Sequence, residues 1–303
     1  MKLPIYVANE ADILITDQVI GSIPGVEITL SNSYLSLSIM KSVKDEVTVV
    51  ILSNNPYEIS FSFEKDTMCK LNVIYYFTKK TKLNTLFSLC DDTNVLLNET
   101  YLSSKKVEVQ NNREFALSRN AVLNLNLGQL SVGSFVMNEE ILLKDETSEL
   151  AYDTLYLGSN DDLFTVTQNI RHLSKNATSN INNMIVSSNS SELNFSVNGY
   201  IAKGMSGSVC RQQNRGVILS ETGSVRVDPK LYIDEYDVEA GHGAAIGQIN
   251  EDEMFYLLSR GLDEINAKRL ILSGYTENYL SSLEDSLFKT KVIKKVSQKI
   301  KGE

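Results

Sequence analysis

The segment VRVDPKLYI, residues 225–233, contains the pattern that decides the fold class. Val225 and Val227 stand two positions apart, as do Leu231 and Ile233. An apolar residue at every second position turns one face of a strand toward a core and the other toward solvent. We therefore predict two short strands here, Val225–Val227 and Leu231–Ile233.

Similar apolar runs, separated by Asn, Ser, Gly and Asp, fill most of the chain before residue 250. They include Val47–Leu52, Val73–Phe77, Val122–Leu127, Leu193–Val197 and Val217–Leu219. Long helical patterns of the kind that link strands in βαβ units are absent from this region. A sandwich, a barrel and a parallel β-solenoid all remain. The short strands and tight corners after Asn182 favour the solenoid, because each of its coils turns after a few residues.

The pattern changes to helix at Asn250, which can cap a first turn that is rich in acidic residues. Gly261 is a plausible stop for this helix. Asp263 can cap a second helix that ends at Gly274, and Thr276 can begin a third. Apolar residues three and four positions apart support all three helices.

The chain therefore divides into a β-rich region, residues 1–249, and a helical region, residues 250–303. With 303 residues and 42% apolar residues, it suits a globular protein of one large or two ordinary domains. The first residues lack the apolar run of a secretory signal, and no stretch approaches a membrane span. We expect a cytoplasmic protein that does not enter a membrane.

The net charge of −9 argues against a nucleic-acid partner. Lys289–Lys301 is a local exception, with six lysines and no acidic residue. Such a run is typical of a solvated helix face, although it could also steer an acidic partner. The three cysteines, Cys69, Cys90 and Cys210, stand far apart and suggest neither a zinc site nor a disulfide.

The usual nucleotide-binding and hydrolase motifs are absent, so we expect no enzymatic activity. The stretch DVEAGHGAAIGQI, residues 237–249, instead draws attention to His242, which stands among small residues. Small residues allow another backbone to come close, and a neutral imidazole can bind a metal. The alternative is a histidine that is satisfied by hydrogen bonds in a turn or core.

The segment from Val227 to Tyr275 resembles the C-terminal core of the SufB/SufD family of iron–sulfur cluster assembly proteins. The residues that carry the resemblance are Pro229, Leu231, Ile233, Asp237, Val238, His242, Gly243, Ala244, Gly247, Phe255, Tyr256, Leu257, Arg260 and Gly261. The "GHGA" form around the histidine is closer to SufD than to SufB.

A second resemblance covers Ile170–Gly204 and the strand that follows it. His172 and Ser179 match the family's spacing, and Gln212, Asn214 and Arg215 match its "Q-x-N-R" strand. Residues 1–150 show only a diffuse likeness. We expect His172 to bond a turn rather than to perform chemistry.

The resemblance implies a right-handed parallel β-helix with a C-terminal helical domain. The N-terminal helical domain of longer relatives is expected to be reduced or absent. The family likeness also implies a scaffold role, in which the chain binds the ATPase SufC and pairs with SufB or with a second copy of itself. Phe255, Tyr256, Leu257, Arg260 and Gly261 fall in the segment that is expected to bind SufC, unless its apolar faces cover the open end of the β-helix.

Carried over residue by residue, the family pattern makes His242 the candidate interfacial iron ligand, with Glu239 as a weaker acidic neighbour. A transient iron–sulfur cluster is expected at the dimer interface, and no tightly bound cofactor. One departure is Ala240, where many SufD relatives have cysteine.

Two alternatives to the scaffold role remain. One is a homodimeric β-helix interaction protein that has lost cluster assembly, and Ala240 motivates it. The other is a β-helix polysaccharide lyase or hydrolase, but the sequence marks no cluster of carboxylates for it.

Overall fold

Consecutive strands alternate between two sheets in the computed structural model, which describes residues 11–43, 46–53, 58–283 and 287–301. The strands are β1 (Ile13–Ile15), β2 (Val19–Ile20), β3 (Val26–Leu30), β4 (Tyr34–Ile39), β5 (Glu46–Ser53), β6 (Glu58–Phe63), β7 (Met68–Phe77), β8 (Thr81–Leu89), β9 (Asn94–Ser103), β10 (Lys106–Leu117), β11 (Val122–Gln129), β12 (Val132–Leu143), β13 (Glu149–Gly158), β14 (Leu163–His172), β15 (Thr178–Ser187), β16 (Glu192–Ile201), β17 (Val209–Ile218), β18 (Ser224–Ile233) and β19 (Glu239–Gln248). The sequence predicts that no secretory signal is present in the first residues. Residues 1–10 of that segment lie outside the described residues.

From β4 onward, each strand pairs in parallel with the strand two places later. Odd-numbered strands from β5 to β19 continue one sheet, here called sheet A, and even-numbered strands from β4 to β18 continue sheet B. Glu46 pairs with Lys70 at one end of the chain, and Glu192 pairs with Ser224 near the other. The chain completes one coil between the two members of each pair, and the later coil is the longer one. This is a parallel β-solenoid followed by helices, and the predicted fold class is confirmed.

Apolar side chains at alternate positions fill the space between the sheets, as the period-two pattern predicts. Equivalent positions in successive coils carry the same kind of ring. The rings of Phe61, Phe87 and Phe115 stack with centroid distances of 4.7 and 4.6 Å. Tyr75 and Tyr101 stack at 4.6 Å in the facing sheet. Such columns bury large apolar area at every coil.

A charged group also lies inside the coil. Arg113 is hydrogen-bonded to Glu99 and lies 2.6 Å from Glu139, and all three side chains are inaccessible to solvent. Tyr152 donates a further hydrogen bond to Glu139 at 2.8 Å. Burial raises the pKa of Glu99, although the neighbouring guanidinium acts against this rise. Removing the cation would leave buried carboxylates without a counter-charge.

The prediction of two short strands within residues 225–233 is wrong. Both apolar runs belong to the single strand β18, which continues through Pro229. Proline lacks the N–H that a central strand would need, but β18 is the last strand of sheet B. The strand can therefore contain the proline without losing a pairing on its outer edge.

Three helices follow the last strand: α1 (Glu251–Ser259), α2 (Glu264–Ser282) and α3 (Leu287–Lys301). The predicted caps are confirmed, since Asn250 accepts from the N–H of Asp252 at 2.7 Å and Asp263 accepts from that of Asn266 at 2.8 Å. The helix break predicted at Gly274 is wrong, as is the helix start at Thr276. α2 continues because its later residues pack on the solenoid, which outweighs the cost of one helical glycine.

Helices α2 and α3 cover the outer face of sheet A rather than the open end of the coil, which corrects one of the two expected uses of the helices. Tyr279 of α2 shows how closely they approach. Its hydroxyl lies 2.6 Å from the Thr100 hydroxyl, and a Cβ on Gly128 would come within 2.1 Å of its ring. Glycine at position 128 is therefore what allows the helix to lie flat on the sheet.

The lysine-rich helix α3 is only partly the solvated face that the sequence predicts. Lys299 is buried, and its ammonium donates to the carbonyl of Leu157 and to the carboxylate of Asp162, both at 2.7 Å. Burial lowers the pKa of Lys299 to about 8. One lysine of the run thus anchors α3 to the corner between β13 and β14. No helix among the described residues has both the length and the apolar character that crossing a bilayer requires.

Candidate functional site

The two ends of the solenoid differ in how their terminal strands are paired. At the first end, β2 pairs antiparallel with β1 and β3 pairs antiparallel with β4, so a short strand of two or five residues closes each sheet. At the other end, β18 and β19 are the terminal strands of sheets B and A, and each has ten residues. Their outer edges present main-chain donors and acceptors that can pair with another strand.

The side chains of this last coil are also uncovered. The strands from β4 to β17 bury nearly every inward position, whereas β18 and β19 contain no buried residue. Val225, Val227 and Leu231 are partly exposed, although their positions face the interior column. The last coil therefore exposes an apolar cross-section that a further coil would cover.

His242 lies on the inner face of β19 at this open end. It is in register with Gln212 of β17, whose side chain is buried inside the coil. Because partners in register on a parallel sheet project to the same face, the imidazole continues the interior column of side chains. It is exposed, since no later coil covers it. The histidine is therefore neither a turn residue nor a core residue of the single chain.

A series of buried amides fixes the strand beside His242. Gln168 donates to Glu139 at 3.0 Å, and Asn183 donates to Gln168 at 2.8 Å and to Asn214 at 2.9 Å. Asn214 then donates to the carbonyl of Gly243 at 3.1 Å. Side-chain hydrogen bonds thus connect the buried ionic group to the main chain next to the exposed histidine.

Glu239 does not share a face with His242. The two residues are three positions apart on one strand, so their side chains project to opposite faces. Glu239 lies on the outer face, where Arg211 donates to it from Nε at 3.1 Å. The structure therefore does not bring together the two predicted ligands. Their ligand roles stay predictions.

The thiol nearest to the open end is covered. Ala240 is in register with Cys210 one coil below, and Cys210 is fully buried. Burial raises the pKa of Cys210, which disfavours the thiolate that binds metals. Within the described ranges, no three His, Cys, Asp or Glu side chains are grouped to hold a metal ion.

His172 shows what an inward histidine looks like when later coils cover it. It is buried, with Nδ1 at 3.1 Å from the Tyr200 carbonyl and Nε2 at 3.0 Å from the Val209 carbonyl. The Ser179 hydroxyl lies 3.1 Å from the same Nε2. Desolvation lowers the pKa of His172, so the neutral ring is favoured. These contacts are those of a structural residue.

The second candidate surface is the helix α1, whose apolar stripe was expected either to cover the β-helix or to bind a partner. None of its residues is buried. Phe255 is 73% exposed, and Tyr256 and Leu258 are also exposed. Leu270 of α2 is exposed beside them, at the edge of a 410 Å³ depression that Tyr256 and Leu257 help to line. The predicted partner residues Phe255, Tyr256 and Leu257 therefore form part of an exposed apolar surface.

The other two predicted partner residues end this helix. Arg260 is exposed, with its guanidinium 5.2 Å from the centre of the Tyr256 ring. Gly261 follows with a φ of 91°, a conformation that favours glycine and ends the helix. Leu258 and Leu270, which belong to the apolar stripes of the first two helices, complete the exposed surface. No sequence signal distinguishes such a stripe from one that covers a core.

Comparison with known families agrees with this architecture. The family model described as "SUF system FeS cluster assembly, SufBD core domain" matches residues 66–275, about two thirds of the chain. The chain is 28% identical over 200 residues to the iron–sulfur cluster assembly protein SufD of Bacillus subtilis, and 29% identical over 89 residues to SufD of Escherichia coli. It is 40% identical over 73 residues to a SufBD family protein of Archaeoglobus fulgidus.

These matches cover unequal shares of the proteins. The matches to the proteins of Bacillus subtilis, Escherichia coli and Archaeoglobus fulgidus cover 66%, 29% and 24% of this chain, respectively. They include 46%, 21% and 20% of the respective relatives. The matched part is therefore less than half of each of these relatives.

Proposed function

The chain belongs to the SufBD family of iron–sulfur cluster assembly proteins, and we propose that it is a non-enzymatic scaffold whose open coil end pairs with a second SufBD-type coil. The observation that supports this most strongly is the uncovered last coil. Two ten-residue edge strands, partly exposed apolar residues and an exposed histidine meet on one surface. Adding strands to such an edge satisfies the main chain and buries the apolar cross-section together.

In this proposal His242 lies at the seam between the two coils. Pairing covers the imidazole, as later coils cover His172, and leaves a ring nitrogen free to bind iron. The cluster is cargo that forms between the chains, and no tightly bound cofactor is required. Glu239 faces outward beside Arg211, so it acts at most from the rim of the seam.

The exposed helix α1 is proposed to bind the ATPase SufC. An apolar surface around Phe255, Tyr256 and Leu270 suits a protein partner, since aromatic anchors dominate such contacts. ATP hydrolysis then belongs to the partner, in keeping with the lack of a phosphate-binding loop motif in this sequence.

The second coil is either SufB or another copy of this chain. A pair of identical chains would use the same end surface on both, related by a twofold axis. The two arrangements differ in composition and not in the surface that this chain contributes.

A co-purification experiment with SufB and SufC tests the proposal. Wild type and His242→Ala should recover both partners equally, because the substitution leaves the strand edges intact. The yield of reconstituted cluster should fall with His242→Ala. Equal cluster yield would reject the ligand role, and failure to recover any partner would reject the scaffold role.

Phe255→Ala with Tyr256→Ala is the complementary variant. It should lose SufC while it keeps the coil-to-coil pair, because α1 and the open end are separate surfaces. Loss of both partners, with an unchanged thermal unfolding curve, would contradict this division of the two surfaces.

A second candidate function is a homodimeric interaction protein without cluster assembly. Ala240 favours it, because the exposed inner face of β19 has no thiol and Cys210 is covered. A stable homodimer with no affinity for SufC would support this alternative and contradict the main proposal.

A further inference from the structure

A group of lysines lies at one corner of the solenoid, far in sequence from the residues used above. Lys79 and Lys80 lie between β7 and β8, Lys105 lies between β9 and β10, and Lys106 is the first residue of β10. Phe77 pairs with Ser103, and Lys79 and Lys105 each stand two positions after their member of that pair. One coil of winding therefore places Lys79 beside Lys105. Lys80 precedes Thr81, which pairs with Val109, so it lies beside Glu108.

These four lysines line a depression of 660 Å³. Its other walls are formed by Val107, Glu108, Gly133, Ser134, Asp161 and Leu163. A volume of this size is within the range of small-molecule sites. The depression is thus large enough for a ligand rather than for a single water molecule or ion.

Two of the lysines have acidic partners within the depression. Lys80 lies 2.6 Å from Glu108, and Lys106 lies 2.6 Å from the second oxygen of Asp161. All four of these side chains are more than half exposed, so their ion pairs are weak and exchangeable. The pairs orient the two ammonium groups without withdrawing them from a ligand.

The other two lysines have no such partner. Within the described part of the chain, neither Lys79 nor Lys105 makes an ion pair, and both are exposed. Four ammonium groups thus face two carboxylates, which leaves an excess of two positive charges in a chain whose net charge is −9. Like charges on adjacent strands are unfavourable, so stability alone does not account for this stacking.

We propose that this lysine corner binds a small anion with several phosphate groups joined in a chain. The main chains of adjacent coils are about 4.8 Å apart, and four long side chains along this corner present more ammonium groups than one phosphate can contact, whereas a phosphate chain can contact them together. Val107 and the exposed Leu163 add an apolar wall that can contact a nucleoside. The phosphate chain is the shared chemistry of inorganic tripolyphosphate and of a nucleoside triphosphate.

Isothermal titration of the full chain with tripolyphosphate, ATP and monophosphate at low ionic strength tests this proposal. Tripolyphosphate should bind and monophosphate should not, and added salt should weaken the binding. Tighter binding of ATP than of tripolyphosphate would identify a nucleotide as the ligand. Equal binding would show that the phosphate chain suffices.

The variant Lys79→Gln with Lys105→Gln should bind tripolyphosphate at least about tenfold more weakly, because each lost cation attracts several phosphate charges. The matched control is Lys144→Gln with Lys175→Gln, which removes two exposed lysines from corners at the opposite edge of the coil. The control should change binding less than about twofold. An equal loss in both variants, or no binding by wild type, would overturn the proposal.

Discussion

The first and last coils of the solenoid terminate the same two sheets, but among the described residues only the first has a short antiparallel strand beside each sheet. At the first end, Ile39 of β4 is 1% exposed, because β3 returns antiparallel beside it. At the last end, Ile246 of β19 projects into the same interior and is 43% exposed. Proteins commonly shorten or cover edge strands to prevent pairing. Among the described residues, long uncovered edge strands lie at one end only, and this asymmetry is the reason that the proposed pairing is placed there.

Matched substitutions at the two ends give the largest expected effects. Ile39→Ala should lower the free energy of unfolding of the isolated chain by about 2–5 kcal/mol, because it leaves a cavity in a closed core. Ile246→Ala should lower it by less than about 1 kcal/mol, since the side chain is already partly in water. Denaturant unfolding of both variants measures the difference. Equal losses would mean that the last coil is as well covered as the first.

Helix α3 packs on the side of the solenoid, between its two ends, and Lys299 anchors it there. The pH dependence of the free energy of unfolding can test this anchor. The pKa of Lys299 is about 8 in the folded chain and about 10.4 in an unfolded one, so the unfolded chain binds more protons between these values. This group should therefore add stability as pH rises from 8 to 10, by up to about 3 kcal/mol. Lys299→Met should remove that gain, and Lys294→Met, at an exposed position of the same helix, should keep it. Identical pH profiles for the two variants would contradict the buried anchor.

The smallest expected effect compares the covered histidine with the uncovered one. The folded pKa of His172 lies below its ordinary value of about 6.5 because burial disfavours the charged ring. The unfolded chain then binds more protons below pH 6.5, so stability is complete above that pH and falls as pH decreases toward the folded pKa. Each unit of pKa depression corresponds to about 1.4 kcal/mol. Unfolding midpoints between pH 5 and 7 should show this loss in wild type and His242→Gln, but much less of it in His172→Gln.

Alternate apolar positions predicted the strands, because this local signal recurs in every coil. The choice of the solenoid depended on short strands after Asn182, and this reason was wrong, since the last four strands each have ten residues. The sequence also predicted the caps at Asn250 and Asp263, whose side chains act within three residues. It did not predict that α2 continues through Gly274, because the reason is the packing of Tyr279 on Gly128, far away in sequence. Effects that depend on which residues the coil stacks together have no local signal.

The candidate site was predicted unevenly for the same reason. The small residues around His242 drew attention to this stretch of sequence, but only the sheet order shows that it forms the last strand of sheet A. The separation of Glu239 from His242 could have been predicted, since residues three apart on a strand face opposite sides. The lysine corner could not, because the register that places Lys79 beside Lys105 is known only once the coils are wound.

Amide hydrogen exchange tests most directly whether the open end is the pairing surface. Exchange should be measured on the two end strands, β3 and β19, for the chain alone at low concentration, at high concentration and with SufB. Amides of β19 should become protected in whichever condition produces a complex, while those of β3 should not change. A complex that forms while β19 continues to exchange at its free rate would contradict pairing at the open end.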